Sequence, residues 1–294
     1  MRRLRDFFLI PSNYEQRAAQ SRLVRAFGEF VRKVWNRRNF KAQVSPHEML
    51  QAVNLASKGR FKIGEQADPI QFIGWFLNEM HKDLREKKSG SIIEECFQGQ
   101  VAIHSEKDVR DDEQKEAGLP PIISSSDSVS KFLYLTLDLP PAPLFRDDSE
   151  KNIIPQIPLM VLLEKFDGQH WTEVSVELTR KRFHLLQLPP YLVLLVNRFT
   201  KNRFFLEKNP TIVTFPVKSL DLAPYVQGAT EPIKYDLVSS IRHLGTPASG
   251  KYMVALQSKA HGSWFEIDSL VVKETHPQKI SLSETFIQIY SLSH

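Results

Sequence analysis

The sequence predicts an α+β fold in which helices form the first part of the chain and strands form the rest. Apolar residues recur at spacings of three and four between Arg17 and Trp35, as in an amphipathic helix. A continuous apolar run at 188–199 is bounded by prolines, which is typical of a buried strand. Two later runs alternate with period two, as half-buried strands do. Helices are therefore expected over about 1–90 and strands over about 91–291.

Three helices are expected in the first part of the chain. The first covers Arg17–Trp35. The segment Ser45-Pro46-His47-Glu48 offers an N-cap, a proline in the first turn and an acid, so the second helix is expected over Pro46–Ser57. Asp68-Pro69 repeats this start signal, and the third helix is expected to end near Leu84.

The remaining sequence is rich in predicted strands. Leu188–Phe199 is the most apolar run and suits a strand that is buried on both faces. Other expected elements are a strand–turn–strand unit over Ile92–Ser105, an alternating strand that begins at Phe132, a short helix over Ile157–Phe166, a partner strand that begins at Phe204 and Phe205, and a short strand over Thr211–Pro216.

The stretch Tyr235–Val272 is predicted to form two long antiparallel strands around a turn. Alternation is visible in Leu237, Ser239 and Ile241 of the first run, and the second run begins at Gly250. Glycines supply the turn conformations.

Residues 106–130 differ in character, because they are poor in apolar residues and rich in acids and serines. This composition predicts a mobile insert.

Composition limits the class of protein. The 294 residues include one cysteine, Cys96, which excludes an internal disulfide framework and fits a reducing compartment. No apolar run approaches the roughly 18 residues of a membrane span. These features predict a soluble intracellular protein without a membrane partner.

The net charge of +5 is concentrated near the N-terminus, where basic residues outnumber acids. Two interpretations are open: a solvated helix face, or a surface for direct contact with RNA or an acidic partner. The basic residues are Arg2, Arg3, Arg5, Arg17, Arg22, Arg25, Arg32, Lys33, Arg37, Arg38 and Lys41.

Several motifs, in order, resemble the ubiquitin-specific protease family of cysteine proteases. The segments LPPYLVLLVNRF and NPTIVTFPVKSLDLAPYV are similar to its palm strands, and Gln66–Phe72 is an altered version of a signature in its helical thumb. Gly250-Lys251-Tyr252 matches the tripeptide that carries the general base, and Trp264–Asp268 matches the segment that orients it. The resemblance implies a papain-like fold with a helical thumb (about 1–90) and β-rich fingers and palm (about 91–291).

The resemblance also implies that catalytic function is lost. Lys251 stands where active members have histidine, while Asp268 retains the orienting carboxylate. A thiol nucleophile needs a neighbour that accepts its proton near neutral pH, and imidazole does so because its pKa is about 6.5. An ammonium group with a reference pKa of about 10.4 acts as a donor only. Lys251 is therefore expected to be a poor base.

Two further family features are expected to be missing. The family's cysteine box would lie before Met1, so the domain is expected to be N-terminally truncated in this chain. The paired Cys-x-x-Cys motifs that hold zinc in many members have no counterpart, since Cys96 is the sole cysteine. His104 is expected to serve an ordinary role at a strand end or on the surface. No zinc and no other cofactor is expected.

Phrases such as WNRRNFKAQVSPHEML are similar to the spliceosomal, inactive branch of the family. This resemblance implies a nuclear protein-binding module that contacts spliceosomal tri-snRNP proteins. The alternative is an active cysteine deubiquitinase with an upstream nucleophile, for which His243 or His261 would be the substitute base. By resemblance, Tyr252, Trp264 and Phe265 border the ubiquitin-tail channel, although core packing is their alternative role. Ubiquitin affinity is expected to be weak or absent.

Overall fold

The computed structural model describes residues 1–16, 19–39, 43–85, 90–109, 122–141, 154–174, 179–201, 206–259 and 261–293. The chain divides into two compact units, Met1–Gln98 and Gly99–His294. The first unit is helical, and every described strand lies in the second. The predicted order, with helices before strands, is confirmed.

Five α-helices lie in the described part of the first unit. They are α1 (Arg2–Leu9), α2 (Arg22–Val34), α3 (His47–Ala56), α4 (Pro69–Leu84) and α5 (Ile92–Phe97). The start of α4 confirms the sequence prediction, because the Asp68 carboxylate accepts a hydrogen bond from the Ile70 N–H at 3.0 Å. None of the helices in the described ranges is long and apolar enough to cross a membrane.

Helix α2 begins later than predicted. It starts at Arg22, because the Ser21 hydroxyl caps it by accepting a hydrogen bond from the Val24 N–H at 3.2 Å. The same hydroxyl donates to the Asp83 carboxylate at 2.5 Å, which ties the cap to α4. Arg17, the predicted start, lies outside the described residues.

Two other predictions for this unit need correction. Pro46, and not Ser45, occupies the N-cap position of α3. The first half of Ile92–Ser105 is the helix α5 and not a strand, because the Ser91 hydroxyl accepts a hydrogen bond from the Glu94 N–H at 3.2 Å. Acidic residues in the first turn favour this helix further.

The second unit contains the strands and two short helices. The helices are α6 (Leu159–Leu163) and α7 (Pro277–Ser281). The strands are β1 (Gly99–Asp108), β2 (Ile123–Phe132), β3 (Leu135–Asp138), β4 (Gln156–Pro158), β5 (Asp167–Val174), β6 (Thr179–Gln187), β7 (Tyr191–Asn197), β8 (Phe199–Lys201), β9 (Leu206–Lys208), β10 (Ile212–Thr214), β11 (Leu220–Asp221), β12 (Lys234–Gly245), β13 (Gly250–Gln257), β14 (Trp264–Asp268), β15 (Val271–Thr275) and β16 (Thr285–Leu292).

Two larger sheets organise these strands. The main sheet has the order β15-β14-β13-β12-β16-β7-β3, with β11 also paired to β12. Strands β3 and β7 are parallel, and the other pairs are antiparallel. The second sheet has the order β2-β1-β6-β5 and is antiparallel. Two small pairs, β4 with the parallel β10 and β8 with the antiparallel β9, complete the unit.

The apolar run at 188–199 forms β7, whose residues from Tyr191 to Leu194 are all buried. This confirms the prediction of a strand that is buried on both faces. Its side chains join a core that also includes Leu237, Trp264 and Tyr290 from the main sheet. Burial of such side chains is worth about 1.5–3 kcal/mol each, so this core stabilises the unit.

A buried cation follows β7. The Arg198 guanidinium is fully buried and donates to three backbone carbonyls: Nε to Thr285 at 2.5 Å, and Nη1 to Asn209 at 3.0 Å and to Thr211 at 2.6 Å. Burial lowers its pKa to about 10. Arg198 therefore joins the start of β16 to the segment between β9 and β10.

Three strand predictions are corrected. The second run of the Tyr235–Val272 stretch is two strands, β13 and β14, although its pairing with β12 is antiparallel as predicted. The strand expected to continue from Phe132 is interrupted, because β2 ends there and β3 begins at Leu135. The predicted insert at 106–130 contains the end of β1 and most of β2, which pair from Asp108↔Ile123 onward, while residues 110–121 lie outside the described residues. The predicted strand start at Phe204 and Phe205 falls outside the described residues.

Candidate functional site

The two positions that resemble the family's base and its orienting acid lie together. Lys251 is the second residue of β13, and Asp268 is the last residue of β14. The Lys251 Nζ atom lies 2.5 Å from the Asp268 Oδ2 atom, which makes an ion pair with a hydrogen bond. The Lys251 side chain is 55% exposed and that of Asp268 is 31% exposed, so the pair faces solvent.

Strand pairing explains this juxtaposition. Strands β12 and β13 pair up to Gly245↔Gly250, which places Lys251 directly after the hairpin loop. Strand β14 pairs antiparallel to β13, with Ile267 opposite Val254. The end of β14 therefore meets the beginning of β13, and long side chains from the two strands reach each other.

The chemistry of this pair differs from that of a catalytic dyad. The hydrogen bond from Lys251 holds the pKa of the Asp268 carboxyl below its usual range. An ammonium group presents only donors, and its protons satisfy the carboxylate. Nothing in this pair accepts a proton from a thiol near neutral pH.

His243 does not supply a base at this pair. It is buried on β12, with its ring edge-to-face against Phe199 at 5.1 Å and Tyr252 at 5.0 Å between centroids. Its Nδ1 atom has no hydrogen-bond partner in the described structure. Burial lowers its pKa, and the nearby Lys208 lowers it further, so the ring is neutral. This geometry is typical of a histidine with a structural role.

His261 and Cys96 have different environments. His261 is exposed, and its Nδ1 atom lies 3.0 Å from the Ser258 hydroxyl. Cys96 is fully buried in α5, and burial raises the pKa of its thiol to about 11. A buried thiol with a raised pKa is a poor nucleophile.

The three residues predicted to border a ubiquitin-tail channel lie on different faces of the main sheet. Trp264 is buried in the core, on one face of β14, and Phe265 points to the other face because neighbouring strand residues alternate. Tyr252 is half-buried and contacts the Phe286 ring at 5.6 Å between centroids. Adjacent positions in a predicted strand already imply opposite faces for Trp264 and Phe265, but the sequence could not show which of the two faces the core.

A cluster of aromatic, basic and imidazole side chains on the β2-β1-β6-β5 sheet was not predicted from the sequence. The Trp171 ring centroid lies 4.4 Å from the Arg180 guanidinium and 5.0 Å from that of Arg182. His104 lies against the same ring at 5.7 Å, and its Nδ1 atom is 2.6 Å from Asp127. The segment TRKRFHLLQ could have indicated part of this cluster, because residues two apart in a strand, such as Arg180 and Arg182, lie on the same face. In the described ranges, no three His, Cys, Asp or Glu side chains are grouped as metal ligands.

Part of the N-terminal basic segment is engaged within its own unit. The described contacts are Arg5 over the Trp35 ring at 4.7 Å, a hydrogen bond from Arg32 to the Tyr14 hydroxyl, and ion pairs of Lys33 with Glu29 at 2.8 Å and Glu48 at 2.9 Å. Arg17 and Lys41 lie outside the described residues. These contacts support the interpretation of a solvated helix face for those three cations.

Comparisons with known proteins show which proteins this chain resembles. Human "ubiquitin carboxyl-terminal hydrolase 39" is 45% identical over 304 residues, which cover 98% of this chain and 54% of that protein. The "probable mRNA-splicing protein ubp10" of Schizosaccharomyces pombe is 37% identical, with 98% and 60% covered. The "pre-mRNA-splicing factor SAD1" of Saccharomyces cerevisiae is 26% identical, with the same coverage. The chain therefore spans between half and three fifths of these relatives.

Solved structures show the same fold. The SAGA DUB module of Ubp8, Sgf11, Sus1 and Sgf73 bound to monoubiquitin matches with a TM-score of 0.71 at 18% identity, covering 96% of this chain and 61% of that one. An essential yeast splicing factor matches with a TM-score of 0.67 at 24% identity, covering 92% and 60%. The family model for ubiquitin carboxyl-terminal hydrolase matches residues 1–290. The chain therefore belongs to the ubiquitin carboxyl-terminal hydrolase family and has the ubiquitin-specific protease fold.

Proposed function

We propose that this chain is a catalytically inactive ubiquitin-specific-protease-like domain that acts as a protein-binding module in pre-mRNA splicing. Its partners in this proposal are spliceosomal tri-snRNP proteins, and its location is the nucleus. Two relatives that match nearly the entire chain carry splicing in their names, which supports this assignment. The observation that carries it is the Lys251–Asp268 ion pair at the position of the base.

The Lys251–Asp268 pair lacks a group that could activate a thiol nucleophile. A general base must be deprotonated and within hydrogen-bond reach of the proton it removes. Lys251 donates to Asp268 and accepts nothing. Neither His243 nor His261 has a described hydrogen bond to Asp268, so this carboxylate orients neither of the two candidate imidazoles in the described structure.

An active cysteine deubiquitinase is the alternative function. It is favoured by one observation, since the 45% identical relatives are named as hydrolases. In that alternative, the nucleophile would be supplied by sequence outside this chain. His261 would be the accessible substitute base, because His243 is enclosed by aromatic rings.

Two assays on the natural full-length protein separate these functions. The first treats it with a ubiquitin probe that carries a thiol-reactive C-terminal group and measures hydrolysis of a fluorogenic ubiquitin C-terminal amide. An active relative serves as the positive control. We expect neither labelling nor turnover, and turnover that disappears in the His261→Ala variant would establish the alternative.

The second assay isolates the protein from nuclear extract, where we expect tri-snRNP proteins to co-purify. Their absence would contradict the splicing assignment.

Weak or absent ubiquitin affinity is part of the proposal. The burial of Trp264 in the core supports it, because that side chain is not free to contact a bound tail. An NMR titration of this chain with ubiquitin tests the point, and micromolar affinity would contradict it.

Direct RNA contact through the basic segment is a separate hypothesis. It requires an affinity that falls steeply with salt and is lost when Arg37 and Arg38 are neutralised.

A further inference from the structure

The loop between β12 and β13 carries a motif that the proposed function does not use. Thr246-Pro247-Ala248-Ser249 connects Gly245 to Gly250, and Thr246, Ala248 and Ser249 are exposed. The chain contains two Ser/Thr-Pro dipeptides, this one and Ser45-Pro46. Kinases of the proline-directed class require proline directly after the acceptor, a residue that lacks a backbone N–H.

The Thr246 hydroxyl is held by hydrogen bonding within the loop. The Thr246 N–H donates to the Ser249 carbonyl at 3.0 Å, which closes the loop with Pro247 near its tip. The Thr246 Oγ1 atom accepts a hydrogen bond from the Ser249 N–H at 3.2 Å. A phosphate at this oxygen would have that N–H as a ready donor, since backbone N–H groups bind phosphate oxygens well.

Two lysines adjoin the loop, one through a contact of its side chain and the other through its position in the chain. The Lys208 Nζ atom donates to the Gly245 carbonyl at 3.3 Å, one residue before Thr246. Lys251 follows Gly250, the strand partner of Gly245. A phosphoryl group carries a charge of about −1.5 to −2 near neutral pH, so it would be attracted to both cations. Lys251 is more exposed than Lys208 and is held by a single carboxylate, which makes it the more available of the two.

We propose that Thr246 is a phosphorylation site for a proline-directed serine/threonine kinase, and that its phosphate draws Lys251 away from Asp268. In the transfer, the Thr246 hydroxyl oxygen bonds to the γ-phosphorus of ATP and the bond from that phosphorus to the β,γ-bridging oxygen breaks. ADP leaves, and the hydroxyl proton passes to a carboxylate of the kinase. The modification would change the charge next to the degenerate site without altering the core.

The test incubates the chain with ATP and a cyclin-dependent kinase and maps phosphate by peptide mass spectrometry. We expect modification at Thr246, with a loss of at least about tenfold in the Pro247→Ala variant. Ser249→Ala is the matched control and should leave the modification unchanged. Thermal unfolding of each variant confirms that it is folded. Phosphate at Ser45 but not at Thr246 in the same sample would overturn the proposal, as would equal incorporation in Pro247→Ala.

The second part of the proposal is tested by a four-way comparison of melting temperatures. Wild type and Lys251→Ala are each measured with and without phosphate on Thr246. We expect phosphorylation to change the melting temperature of wild type more favourably than that of Lys251→Ala. The expected difference between the two shifts is about 2 °C, which corresponds to one new charge-assisted contact. Identical shifts in the two backgrounds would show that the phosphate does not engage Lys251.

Discussion

Two cations of the strand-rich unit, Arg198 and Lys251, have opposite environments. Arg198 is fully buried and donates to three backbone carbonyls, whereas Lys251 is exposed and bound to a single carboxylate. A buried cation without its partners is costly, while an exposed ion pair contributes little to stability. The scaffold therefore depends on Arg198, and the residue at position 251 is free to differ from the family's base. The fold can therefore be retained when the residue at position 251 changes.

The strongest test of this comparison is the Arg198→Met substitution. It leaves the carbonyls of Asn209, Thr211 and Thr285 without their described donor in a buried site. We expect a loss of about 3–5 kcal/mol in the free energy of unfolding, because each unsatisfied buried group costs about 1–3 kcal/mol. Urea unfolding at neutral pH measures it. Lys201→Met, at an exposed position of β8, is the control and should change stability by less than about 0.5 kcal/mol.

A second substitution, Gly250→Ala, tests whether the aromatic packing around His243 constrains the strand that carries Lys251. A Cβ atom at position 250 would lie 2.3 Å from the His243 Nε2 atom. We expect a loss of about 1–3 kcal/mol, as is typical of overpacking. The double variant Gly250→Ala, His243→Ala should lose less than the sum of its parts, because the second change removes the clash with the ring and leaves only the contact with the Leu244 carbonyl oxygen. Strict additivity in urea unfolding would contradict the close packing.

Some elements of this fold could be predicted from the sequence and others could not. Asp68-Pro69 identified the start of α4 and the apolar run identified β7, because the signals are local or depend only on burial. The serine-rich strand β2 could not be predicted, since its residues are nearly all exposed and show no apolar alternation, and the strand forms by pairing with β1. The helix α5 was missed because six residues are too few to show a period. Lys251 and Asp268 were both named from the sequence, yet their ion pair depends on the register of three strands.

A third prediction concerns His243 and pH. Its folded-state pKa lies below the value of about 6.5 expected for an unfolded chain, so the unfolded state binds more protons as pH falls below about 6.5. Stability should therefore decrease on acidification from neutral pH and level off below the folded pKa. His243→Phe should show a smaller decrease in urea unfolding between pH 7.5 and 5. The same decrease in wild type and variant would show that His243 does not titrate in this way.

The smallest expected effect is at the exposed pair itself. The Asp268 carboxyl has a lowered pKa whose first cause is the hydrogen bond from Lys251. Its contribution to stability is present above the unfolded pKa of about 3.9 and is lost as pH falls through the folded pKa. Carbon-detected NMR titration of the Asp268 carboxyl should give a higher pKa in Lys251→Ala than in wild type. Lys273→Ala, which removes a weaker neighbouring charge, should raise it less. An equal response to both substitutions would mean that general charge, and not the Lys251 hydrogen bond, sets the pKa of Asp268.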